Sequence, residues 1–484
     1  MSEKISHSRP LVELLHGKSE NESGMNRRDA MKLMGLSGGA AMMMGAPVPA
    51  EAGPSSDKKV KVLVVGGGAG GIMAIARLHS ALPNAELTII APNEIHLYQP
   101  GQVFMAAGLY THDDVVGHNK DLIPSGVNWI KDEVKAFDPD NNKVVTRAGE
   151  EVAYDYMVVA TGIIYHYDWI KGLKEEDIGT NGISSVYLSD LEKGTAHGAD
   201  VTWEWFEALK AAAAGGKKPT AIYTQPNTPI KCGGAPQKIL YLSADNLRKE
   251  GLSANFIFAT NGGKLFGLPT IAASLDKVQK GYDTISNKFK HNLVSMDVAN
   301  KVATFDETYQ EKGEYDEDLK EYDMINKKRM VDLKYDFIHV VPPMGPPQAV
   351  VDSLLGWQKG TAKGWLEVDQ HTLQHKRYPN VFGIGDVCGI PKGKTGGSAR
   401  HHAPITVGNL VAQVNGDPLE GSFDGYTVCP LKTEYGKIIM AEFDYEGLAP
   451  SFPLDPAEPR WIWWAFDLYM LKPMYWHLMM KGWM

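Results

Sequence analysis

Three cysteines in 484 residues leave no room for a disulfide framework, and none of them forms a C-x-x-C pair. No run of lysine and arginine is present and the net charge is -9, which excludes the electrostatic footprint of a nucleic-acid binder. No Cys/His spacing suits a metal. What the chain does have is glycine, 50 residues of it, with 43% apolar and 22% charged residues. That composition describes a globular protein with two or three domains, many tight turns and candidate phosphate-binding loops.

The N-terminus reads as an address. Arg27-Arg28 precede a mildly apolar Gly/Ala/Met-rich stretch from Leu33 to Ala46, and Ala50-Glu51-Ala52 fits a small-residue cleavage site. The segment resembles a bacterial twin-arginine export signal. It implies a periplasmic protein, on the outer face of the cytoplasmic membrane, that folds around its cofactor before export. Residues 1–57 are therefore signal and linker, outside the fold.

Val60–Val65 is a short β-branched run, as in a buried parallel strand, and a helical pattern starts at Ile72. Between them Gly66, Gly68 and Gly71 fit G-x-G-x-x-G, with Ala69 and Gly70 completing the loop. Gly66 permits the turn, Gly68 lets backbone approach a pyrophosphate, and Gly71 lets helix pack on strand. The helix N-terminus then faces the phosphates. The next strand, Ala85–Pro92, ends without the usual ribose-gripping acid; Asn93 or Glu94 stands in for it. Tyr154–Gly162 is a strand ending in Ala-Thr-Gly, which adds Thr161 and Gly162. Tyr378–Gly389 is a strand ending in Gly385-Asp386, whose carboxylate suits ribityl hydroxyls. These three elements in this order resemble the flavoproteins with two dinucleotide-binding domains, which implies FAD.

Such folds insert a second dinucleotide domain for NAD(P)H. Lys218–Gln225, a helix over 237–251 and the strand Ala254–Thr260 supply its frame. The connecting loop, however, reads PNTPIKCGGAP instead of G-x-G-x-x-G. Proline has no N–H with which to cradle a phosphate. The frame is kept and the nicotinamide site lost, with Cys232 in its place. Cys388, two residues after Asp386, is expected near the same flavin. The two thiols are thus expected to converge as a redox pair, with Lys231, Lys392 or Lys394 lowering a thiol pKa. Lys394 is also a candidate for the flavin N1/O2 edge. His401-His402, at a helix start, are expected to shape the flavin pocket.

PIKCGGAPQK, VVPPMGPP (Val340–Pro347), YPNVFGIGDVCGIPKGKTGGSAR and AEFDYEG (Ala441–Gly447) resemble the sulfide:quinone oxidoreductases over roughly residues 59–484. The resemblance implies that a cysteine pair takes up sulfide as a persulfide, that two electrons pass to FAD, and that a membrane quinone receives them. By match the pair is Cys232 and Cys388. No cysteine lies between Gly162 and Lys231, so FAD is expected to be non-covalent. Cys429 is left over and is read as a packing residue. Tyr435 and Phe443 are candidates for the quinone pocket.

The tail Arg460–Met484 carries five of the eleven tryptophans. Asp467, Lys472, Pro473, His477 and Lys481 interrupt it before it reaches the ~20 apolar residues of a bilayer span. Lys472-Pro473 is expected to split it into two short amphipathic helices at a membrane interface. The expected fold is α/β. The boundaries are 58–180 (first part of the FAD domain), 181–345 (second, NAD-less Rossmann-like domain with Cys232), 346–425 (second part of the FAD domain with Cys388) and 426–484 (quinone and membrane-associated region). Homo-oligomerisation stays open. The competing readings are a flavocytochrome c sulfide dehydrogenase subunit, a type II NADH dehydrogenase, which the broken nucleotide loop opposes, and a non-enzymatic flavoprotein module.

Overall fold

In a computed structural model, residues 54–189, 197–216, 218–316 and 320–484 are described. The twin-arginine segment lies outside them. Two parallel five-stranded sheets organise the chain. In the first, the order is Val381–Gly383, Tyr156–Val159, Lys61–Val65, Glu86–Ile90, Asn128–Ile130. The strands Lys61–Val65 and Glu86–Ile90 are buried at four of five positions, the signature of a sheet covered on both faces. Helix Ala69–Ala81 follows the glycine loop, and helix Gly396–Asn415 packs beside it. The longer helix is capped by Thr395, whose Oγ1 accepts from the Ser398 N–H at 3.2 Å.

The second sheet has the order Ile183–Ser184, Phe337–His339, Thr220–Gln225, Asn255–Thr260, Ile285–Phe289. Helix Ala235–Lys249 connects two of its central strands. The expected α/β class with two parallel dinucleotide-type sheets is present. An antiparallel sheet of His291–Asp297, Val302–Asp316 and Glu321–Lys334 extends from it, which sequence reasoning left unassigned.

After the second half of the first sheet, an antiparallel hairpin pairs Thr427–Glu434 with Lys437–Phe443. It lies against helix Ala235–Lys249. The chain then makes three successive helical pieces: Trp461–Ala465, a π-helical Phe466–Met470, and Leu471–His477. The break expected at Lys472-Pro473 falls elsewhere. Pro473 is the third residue of its helix, where a missing N–H costs nothing, and the π turn makes the junction. Much of this tail is packed: Trp463 and Trp464 are each 5% exposed and Met480 is wholly buried. Among the described residues no helix is long and apolar enough to cross a membrane.

Candidate active site

The glycine loop has the geometry its spacing demands. Gly66 adopts φ 115°, and a Cβ on Gly71 would come within 1.8 Å of the Gly66 carbonyl oxygen. A Cβ on Gly68 would meet nothing within 4 Å, so this is where backbone faces open space at the helix N-terminus. Gly162 is likewise open at φ 70°, and the neighbouring Thr161 Oγ1 is buried without a protein partner. Gly385 turns at φ 79°, and its N–H donates to His402 Nδ1 at 3.0 Å. Burial drives the His402 pKa down to about 3, so the ring stays neutral and accepts. His402 thereby fixes the Gly385-Asp386 turn. The Asp386 carboxyl pKa is raised by burial, against the pull of Lys394 and Lys231. An open glycine cradle, an orphaned threonine hydroxyl and the carboxyl of Asp386 suit a flavin dinucleotide. Gly66–Gly71, Thr161, Gly162 and Asp386 would hold it. Asn93 sits just past the second strand, its carbonyl accepting from Asn119 Nδ2 at 2.9 Å, and Glu94 is engaged with Lys131 at 2.5 Å.

Lys394 is at the centre of this region. Its Nζ donates to the carbonyls of Asp386 (2.6 Å) and Cys388 (2.9 Å) and lies 3.6 Å from the Trp365 ring centroid. Burial lowers its pKa to about 8. Its own carbonyl accepts from the Cys232 N–H at 2.8 Å. The degenerate nucleotide loop of the second sheet is thus tied to the Asp386 loop of the first.

The thiols are arranged differently from the expectation. Cys232 Sγ lies 3.4 Å from Cys429 Sγ. Cys388 is wholly buried in the apolar core of the first sheet, among Leu366, Val368 and Val387. Burial pushes its thiol up to about 12. The thiol that stands against Cys232 is therefore Cys429, expected as a packing residue, and not the expected Cys388. The reason is topological. The hairpin Thr427–Glu434 runs over the start of helix Ala235–Lys249 and delivers Cys429 to the loop. A Cβ on Gly234 would meet Leu431 at 2.2 Å and Cys429 Sγ at 2.8 Å, so the glycine permits the approach.

Cys232 itself has φ 50°, a left-handed conformation that costs a β-substituted residue of order 1–3 kcal/mol and collects at functional sites. The Cys429 thiol donates to Cys232, and Lys238 Nζ stands 3.0 Å from its sulfur. Both hold the Cys232 thiol well below its ordinary pKa, against burial, while Cys429 is held high as the proton donor and by burial. Burial opposes the Lys238 charge, but the adjoining thiols hold it up. None of the expected lysines does this. Lys231 Nζ donates to Gln99 Oε1 at 2.5 Å, Lys392 to the Asp444 carbonyl, and Lys394 serves the Cys388 side. Lys238 was legible only as the lysine of the first helical turn after Cys232.

Beside the thiols lies a buried ion pair, Lys432 with Asp467, at 2% and 1% side-chain exposure. Lys432 Nζ also stands 4.4 Å from the Phe104 ring centroid, and Asp467 Oδ1 has no protein partner. The two expected quinone residues are not brought together. Tyr435 is in the hairpin turn, its hydroxyl donating to the Ala107 carbonyl at 2.9 Å, while Phe443 ends the returning strand beside Phe266. The six strand residues Lys437–Glu442 lie between them, roughly 20 Å.

Two parallel dinucleotide-type sheets, a glycine cradle that suits a flavin and two adjacent thiols where a nicotinamide loop would lie describe the class: a flavin-dependent oxidoreductase. Consistently, the model of the pyridine nucleotide-disulphide oxidoreductase family matches residues 60–195. Along nearly its whole folded length, the chain belongs to the sulfide:quinone oxidoreductase family. It is 38% identical to the mitochondrial sulfide:quinone oxidoreductase of Dictyostelium discoideum, over 87% of this chain and 86% of that protein. The mouse mitochondrial enzyme is 36% identical over the same shares. The crystal structure of the sulfide:quinone oxidoreductase from Aquifex aeolicus shares the fold, with a TM-score of 0.65 at 19% identity, covering 86% of this chain and 91% of that one.

Proposed function

We propose that this enzyme oxidises sulfide at the Cys232–Cys429 pair and delivers two electrons, by way of non-covalent FAD, to a membrane quinone. The observation that carries the reading is the 3.4 Å thiol pair with Lys238 against one sulfur. In the oxidised enzyme the two sulfurs are joined. Hydrosulfide attacks one sulfur, the S–S bond breaks, and one cysteine leaves as thiolate while the other becomes a persulfide. The lower-pKa thiol leaves faster. Lys238 stabilises that thiolate at Cys232, so Cys429 takes the incoming sulfur. FAD, when bound, supplies a two-electron acceptor. A second sulfur nucleophile takes the outer persulfide sulfur as sulfane sulfur and Cys429 leaves as thiolate; the two cysteine sulfurs then rejoin as the disulfide, giving up the two electrons that the acceptor takes.

Sulfide added anaerobically to the flavin-loaded protein is expected to bleach the visible flavin band. Cys232→Ser and Cys429→Ser are each expected to abolish bleaching, while Cys388→Ala retains it. An unbleached wild type, or bleaching that survives Cys429→Ser, overturns the reading.

The membrane is the second half of the proposal. Trp483 is 65% and Met470 45% exposed on the tail, and Trp and Lys favour the bilayer interface. The tail seats the enzyme on one face of the membrane, the periplasmic face if the twin-arginine segment directs export. Flotation with vesicles is the check. Trp483→Ser with Met470→Ser is expected to weaken flotation and quinone reduction together, leaving sulfide-driven bleaching intact; unchanged flotation counts against the anchor.

A further inference from the structure

The ribbon Val302–Asp316 and Glu321–Lys334 is longer than anything that supports it. Strand His291–Asp297 flanks the ribbon only along Val302–Glu307, whereas the ladder of the ribbon continues to Asp316 and Glu321. The strand Glu321–Lys334 forms the edge of its sheet, with no neighbour on its outer side among the described residues. A bare two-stranded ribbon is marginal in water, and an open edge is a template for another strand. The exposed side chains agree. Tyr315 (46%), Tyr322 (46%), Met324 (51%), Ile325 (48%) and Met330 (67%) all lie on this ribbon.

Charge identifies the occupant. Alternate residues of a strand share a face. Along the odd positions of the outer strand the sequence is Glu321, Asp323, Ile325, Lys327, Arg329. Acid, acid, isoleucine, base, base is its own complement when reversed. We propose that two copies of this chain pair antiparallel along this edge, about a two-fold axis at Ile325. Asp323 then stands opposite Lys327 of the other copy, twice by symmetry, and position 321 stands opposite Arg329. Ile325 meets its own counterpart. On the other face Tyr322 stands opposite Lys328 and Met324 opposite Asn326.

Within one chain Lys327 already pairs with Glu311, and Arg329 with Glu307 at 2.6 Å. Asp323 of the second copy joins that cross-strand network. A parallel in-register pairing would instead set each charge against its own kind. Two-fold self-complementary contacts are the commonest way for one chain to pair with itself, and directly opposite residues bring their Cβ atoms within disulfide reach.

The test uses the full-length, flavin-loaded protein in detergent. Ile325→Cys, on the axis, is expected to form a disulfide-linked dimer under mild oxidation, read on a non-reducing gel. Met330→Cys, more exposed but off the axis, is expected to link far less. In the Ile325→Cys background, Lys327→Glu or Asp323→Lys alone sets like charges face to face and is expected to cut cross-linking at least ~10-fold. An equimolar mixture of the two reversed chains is expected to restore it, because each acid again faces a base. A chain that stays monomeric and unlinked overturns the proposal. So does linking that survives either reversal, or a mixture that stays unlinked, as it would if the edge served a different protein.

Discussion

At the scale of single residues, the Cys429 thiol and one lysine together set the chemistry of Cys232. Lys238 occupies the first turn of helix Ala235–Lys249 and reaches back to Cys232 at 3.0 Å. The pKa of Cys232 is depressed, so its thiolate persists as pH falls and is lost only below the depressed value. Replacing the cation by Lys238→Met removes part of that support. The midpoint for alkylation of the reduced enzyme is then expected to move to higher pH by more than one unit, about 1.4 kcal/mol per unit. Lys238→Arg is expected to keep most of the shift. Rates of iodoacetamide labelling across pH, followed by mass spectrometry at Cys232, measure it. An unmoved midpoint in Lys238→Met would show that the lysine only fills space. At this scale Cys232 was legible, because proline and cysteine had displaced phosphate-binding glycines. Cys429 was not. Its strand neighbours Val428 and Pro430 give no chemical signal, and its partner stands far away in sequence.

At the scale of elements, the C-terminal pieces are joined to the site by a buried charge pair. Asp467 sits on the π-helical turn Phe466–Met470, and Lys432 on the cysteine-bearing strand. Deleting one partner leaves the other charged and buried, which typically costs about 3–5 kcal/mol. Asp467→Ala is therefore expected to lower the melting temperature markedly. The double replacement Lys432→Met with Asp467→Leu is expected to recover most of the loss. A thermal melt of the three variants is the measurement, and an unaffected Asp467→Ala would mean that water or a ligand serves Lys432 instead. The interruptions at Asp467 and Lys472 were visible in the sequence as breaks in an apolar run. Their purpose was not, because each partner comes from a distant segment: Lys432 for Asp467, and Asp114, at 2.5 Å, for Lys472. The dinucleotide elements were legible for the opposite reason. Strand, glycine turn and helix are contiguous, so local periodicity and turn chemistry carry them.

At the scale of the whole molecule, two parallel sheets hold the cofactor cradle and the altered nucleotide loop, and the late hairpin completes the site between them. Three strands of the first sheet were marked by short motifs at their ends; the long ribbon was not, since its polar, charged strands lack the apolar alternation that betrays a half-buried sheet. The thiol pair also has a mechanical side. Cys232 and Cys429 are 197 residues apart in the chain. Joining them closes a loop whose entropy, on the chain-entropy account, favours the native state by about 5 kcal/mol. If the proposed sulfide reaction makes and breaks this bond at every turnover, the chain alternates between a stapled form and an open one. Its resistance to heat and to proteases thus follows its oxidation state, and the resting, oxidised form is the sturdier of the two.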